Sequence, residues 1–153
     1  MEINEAVATT DPNDARSRVT LAAAYDQLGF VLAKLNKTDT LEDELKGLDI
    51  RKSLFAADAG NKGRQEAVAN SYRTLGDTEV IFASRPRQSA GKQAAHWREA
   101  RSWYKQALQV YLLLGRDGAL RGENAEEPDR ISREMAKCTD ALEKLTGPSP
   151  LPR

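Results

Sequence analysis

The sequence predicts an all-α fold built from antiparallel helix pairs, and three observations carry that expectation. Apolar residues recur at helical spacing, most clearly in Ile131, Met135, Cys138, Leu142 and Leu145, which are 4, 3, 4 and 3 residues apart. No run of β-branched residues alternates in the way a strand requires. The chain also repeats itself. Leu21-Ala-Ala-Ala-Tyr25-Asp-Gln-Leu28-Gly29 recurs as Val68-Ala-Asn-Ser-Tyr72-Arg-Thr-Leu75-Gly76, with tyrosine, leucine and glycine each 47 positions apart. An aromatic, a leucine and a glycine at i, i+3 and i+4 share one helical face, and the glycine lets a second helix approach closely.

The elements follow in order. A first helix is expected over 14–35 and a second over 40–57, with Asn36 to Asp39 between them. A third over 63–83 follows the break at Asp58-Ala-Gly60-Asn61. Extending the 47-residue offset backward pairs Asp11 with Asp58, Val7 with Leu54 and Ile3 with Ile50, so residues 1–10 read as the end of a truncated preceding repeat helix. The second helices correspond at a larger offset. Thr40, Gly47, Leu48, Ile50 and Leu54 each align with a residue 60 positions on: Ala100, Ala107, Leu108, Val110 and Leu114. The additional residues fall in the polar, proline- and glycine-containing stretch 84–93, which reads as a long basic loop before a fourth helix over 95–115. Pro128 suits the first turn of a last helix over 128–145, and residues 146–153 read as a disordered tail. The core is expected around Tyr25, Leu28, Tyr72, Leu75, Tyr104 and Leu108.

Composition excludes several functions. The 153 residues suit one domain and carry 23 basic and 23 acidic side chains, so no net field attracts a polyanion and nucleic-acid binding is not expected. One cysteine permits neither an internal disulfide nor a cysteine-based metal site. No apolar run reaches the ~20 residues of a membrane span. A soluble, cytoplasmic protein with no cofactor and no metal is expected. His96 is the only histidine and stands at no motif spacing to a nucleophile, so it reads as a helix-start or loop residue. Cys138 lies on the apolar stripe as a small hydrophobe. Gly91-Lys92 is not a phosphate-binding loop, because Pro86 stands where the loop's first glycine belongs. The acidic clusters at Glu42 to Glu44 and Glu123 to Asp129 suit helix starts better than paired acid–base chemistry. Trp97, Tyr104 and Tyr111 recur every seven residues and read as packing, with Trp103 partly exposed beside them.

Tyr25-x2-Leu28-Gly29-x2-Leu32 and Thr40-x3-Glu44-x2-Gly47, followed by Tyr72-x2-Leu75-Gly76-x2-Glu79 and Ala100-x3-Tyr104-x2-Ala107, resemble the tetratricopeptide repeat. Glu44 and Glu79 stand where that family carries aromatic residues. The resemblance covers residues 11–115 and implies a repeat domain over 11–145, with units 11–57 and 58–115 and a polar-backed capping helix at 128–145. The stretches 11–16 and 121–129 also look similar to repeat regions that follow bacterial serine/threonine kinases, although no kinase motif is present. The resemblance implies no catalysis. It implies a protein-binding scaffold whose first helices line a concave groove, placing Ala23, Asp26, Phe30, Ala33 and Lys34 from one unit beside Asn70, Arg73, Asp77, Val80 and Ile81 from the next. Phe30 is the expected peptide anchor. Arg85, Arg87 and Lys92 form a candidate anion or partner loop. The alternative is a structural segment of a larger protein that self-associates through its exposed end helices.

Overall fold

The computed structural model describes residues 14–35 and 40–147. Among the described residues five α-helices follow one another: α1 (Ala15–Lys34), α2 (Thr40–Ala57), α3 (Lys62–Ala83), α4 (Ala90–Arg116) and α5 (Glu127–Thr146), with one 3-10 turn, Gly122–Glu126, leading into α5. Among the described residues there is no strand. The expected preceding half-helix at 1–10 and the tail beyond Gly147 lie outside the described residues.

Short polar side chains start the first, third and fourth helices by satisfying free backbone N–H groups. Asp14 accepts from the Arg16 N–H at 3.0 Å, Asn61 from the Arg64 N–H at 3.1 Å and Ser89 from the Lys92 N–H at 3.3 Å. In α5 Pro128 occupies the first turn beside Glu127 and Asp129. Helix α4 ends where Gly118 takes φ +65°, a left-handed conformation that spares glycine the steric cost of a Cβ.

Successive helices pack as antiparallel neighbours, since contacting residues rise in number on one helix as they fall on the next. Gly29 meets Glu44 while Arg18 donates to the Ser53 hydroxyl at 2.9 Å. Thr78 donates to Glu44, and Arg51 to Ser71 at 2.8 Å, between α2 and α3. Tyr104 reaches Asp77, and Tyr111 reaches Asn70, between α3 and α4. The sequence repeat survives as a repeat of contacts. A Cβ on Gly29 would lie 2.5 Å from Glu44 Cγ, and one on Gly76 would lie 2.7 Å from the Tyr104 ring. The two glycines are 47 apart and the residues they meet are 60 apart, the same two offsets found in the sequence.

Among the described residues two apolar clusters hold α2 to α5 together. The larger joins α3, α4 and α5 through Ala69, Ala100, Tyr104, Ala107, Tyr111, Leu114, Ile131 and Cys138. The smaller joins α2 to α3 through Leu48, Val68 and Leu75, with the Tyr72 and Trp103 rings stacked 5.9 Å apart at its margin. Of the expected core, Tyr25, Leu75 and Tyr104 are buried, whereas Leu28, Tyr72 and Leu108 are only half-buried.

One boundary differs materially. Helix α4 begins at Ala90, not at 95, because Ser89 caps it and Ala94 is buried. The connecting loop is therefore 84–89, and Gly91 and Lys92 belong to the helix.

Candidate binding concavity

Helices α1 and α3 lie on the same side of the helix pairs and enclose an open concavity of about 340 Å³. Asp26, Gln27 and Phe30 line it from α1; Arg73, Thr74 and Asp77 line it from α3. These six are three pairs separated by 47 residues, so equivalent positions of the two sequence units face one cleft. Four of them, Asp26, Phe30, Arg73 and Asp77, are residues the sequence placed there. Gln27 and Thr74 are the two the helical-face pattern does not single out, though each directly follows Asp26 or Arg73 and the two are related by the same offset.

The charged walls are largely engaged with the protein itself. Asp26 pairs with Arg51 at 2.6 Å, and its other oxygen faces Gly47. Burial raises the Asp26 pKa, and the Arg51 guanidinium opposes that shift. Asp77 gathers three donors: the Tyr104 hydroxyl at 2.7 Å, Arg73 at 2.9 Å and Arg130 from α5 at 3.5 Å. Arg73 Nε also lies 3.5 Å from Glu127. Phe30 is 41% exposed, with the Lys34 ammonium 4.3 Å from its ring centroid. The accessible chemistry is thus an aromatic face, a cation beside it, and the neutral polar tips of Gln27 and Thr74.

Other expected groove residues lie elsewhere. Ala33 is buried, and Val80 packs on the larger cluster, because both turn inward between helices. Asn70 accepts from the buried Tyr111 hydroxyl at 2.7 Å. Ala23 and Ile81 are half-buried outside the lining.

The basic trio does not share one loop. Arg85 lays its guanidinium 4.0 Å over the Phe82 ring, Arg87 is exposed at φ +64°, and Lys92 stands in the first turn of α4. His96 is neither at a helix start nor in a loop: it lies inside α4 with Nδ1 2.6 Å from Glu79, which is only 5% exposed. Burial raises the Glu79 pKa against the pull of His96. Cys138 is buried as expected, and desolvation pushes its thiol up to about 11.

Among the described residues no group of three His, Cys, Asp or Glu side chains is placed to hold a metal ion. No described helix is long and apolar enough to cross a membrane. No protein-family model, curated protein or solved structure matches this chain.

Proposed function

We propose that this protein is a non-catalytic interaction module of tetratricopeptide-like helix pairs, which binds a peptide segment of another protein in the concavity between α1 and α3. The observation that carries this reading is the lining itself: three residue pairs at one repeat offset converge on a single cleft with a half-exposed phenylalanine in its wall. Half-exposed aromatics gain most from a partner because the monomer leaves their apolar area in water. The carboxylates around Phe30 are held by Arg51, Arg73, Arg130 and Tyr104, which favours an apolar anchor with backbone hydrogen bonds to Gln27 and Thr74 over recognition by charge. Helix α5 fits the role of a cap: Ile131, Cys138 and Leu142 face inward, while Arg133, Lys137 and Glu143 face solvent.

Random peptides displayed on phage and selected on the immobilised chain test the reading, with fluorescence anisotropy on the enriched sequences. Phe30→Ala and Thr74→Arg are each expected to weaken binding tenfold or more, roughly the loss of one hot-spot contact. Failure to enrich any peptide, or affinities indifferent to both substitutions, would reject the groove.

A second reading, self-association, is favoured by exposed apolar side chains on and just beyond α1. Val19 and, at 50%, Val31 of α1 are exposed, and Leu35 just past the helix is 63% exposed. Sedimentation equilibrium distinguishes it: mass should rise with concentration, and Val31→Glu with Leu35→Glu should abolish the rise.

A further inference from the structure

The N-terminal helix pair places a carboxylic acid where the second pair places a phenol. Glu44 and Tyr104 occupy the same position against the paired glycines, and Glu44 is 1% exposed. The Thr78 hydroxyl donates to Glu44 Oε1 at 2.7 Å, and Oε2 has no donor. Charged neighbours give Glu44 no help. Helix α1 brings the Asp26 carboxylate, and α3 brings Asp77 and Glu79. Among the described residues the cations in this region are committed: Arg51 to Asp26, Arg73 and Arg130 to Asp77, His96 to Glu79, and Lys46 of α2 itself to Glu42 and Asp43. Helix α4 contributes Tyr104, whose hydroxyl is given to Asp77. An ionised carboxylate at this position would be buried with one neutral donor and no counter-ion, an arrangement that strongly favours the protonated acid.

We infer that Glu44 is a proton-dependent latch, pinning α1 to α2 and α3 while it is neutral and loosening the α1–α2 pair from the α3–α5 body as it ionises. The division of the core supports a local opening: among the described residues the larger cluster lies entirely in α3, α4 and α5, α1 belongs to neither cluster, and α2 gives the smaller one a single buried residue, Leu48, against Val68 and Leu75 of α3. Burial first, then the three carboxylates, push the Glu44 pKa up to about 8 against the Thr78 hydrogen bond, whereas an exposed glutamate titrates near 4.5. The closed form therefore holds a proton that the open form has lost throughout the interval between those values. Opening should become about tenfold more favourable with each pH unit across that interval and level off above it, where both forms are ionised. The inference stands whether or not the concavity binds a peptide.

Amide hydrogen exchange of the full chain from pH 5 to 9, corrected for intrinsic exchange rates, tests the latch. Protection factors in α1 and α2 should fall about tenfold per unit and reach a plateau near pH 8. Glu44→Gln should make them independent of pH. Thr78→Val removes the one bond that favours the ionised acid, so it should move the plateau to higher pH. Protection that is flat with pH in the wild type, or that falls equally in α4 and α5, overturns the latch. So does a slope that persists in Glu44→Gln or a plateau that Thr78→Val does not move.

Discussion

Gly29 and Gly76 each leave room for a buried side chain of the next helix, and what they face decides the sign of a substitution. Alanine is the better helix former by about 1 kcal/mol. At Gly29, however, a Cβ would meet the middle of the buried Glu44 side chain, and at Gly76 it would meet the buried Tyr104 ring; neither neighbour has room to turn away. Gly29→Ala and Gly76→Ala are each expected to lose about 1–3 kcal/mol in urea denaturation. Gly63→Ala, whose Cβ would meet only Asn61 Oδ1 at 3.4 Å, should gain a few tenths of a kcal/mol. Tyr104→Phe leaves Asp77 short of one donor to a charged group, at a cost of about 1.5–3 kcal/mol. The glycines and tyrosines were readable as packing positions in the sequence. The burial of Glu44 and Glu79 was not, because the partners that make it tolerable, Thr78 and His96, stand 34 and 17 residues away.

At the level of the elements, helix order and four of the five starts were legible from caps, breaks and apolar spacing. The start of α4 was not. Pro86, Gly91 and the polar residues around them read as loop, yet one serine hydroxyl on the Lys92 N–H and the burial of Ala94 extend the helix back to Ala90. Ser89→Ala should therefore cost about 1 kcal/mol, with thermal denaturation followed by circular dichroism as the measure. The shortened loop turns through Arg87 at φ +64°, a conformation costing a side chain roughly 1–2 kcal/mol. Arg87→Gly should raise stability by up to about 1 kcal/mol once the greater freedom of the unfolded glycine is subtracted, and the same melts will report it. The 3-10 turn at Gly122–Glu126 had no sequence signal beyond the acidic run, Glu123 to Asp129, that overlaps it.

Across the whole molecule, stability is divided unequally. The larger cluster needs α5: Ile131 and Cys138 are two of its eight buried members. Truncation after Arg121 should expose that surface and abolish cooperative unfolding, seen as a broad thermal transition and aggregation on gel filtration. Ile131→Ala, a gentler form of the same test, should cost about 2–5 kcal/mol. The sequence by itself determined the helical class, the order of the helices, the two repeat offsets and four of the six residues lining the cleft. These are local or periodic properties: capping, apolar spacing and internal similarity are written in short stretches of chain. Only the tertiary structure decided which polar groups are free to meet a partner. Asp26, Arg73 and Asp77 look available on a helical wheel, but α2, α4 and α5 bring Arg51, Tyr104, Glu127 and Arg130 to them. Such pairings join residues tens of positions apart, and whether a charge is spent or free depends on the helix packed beside it.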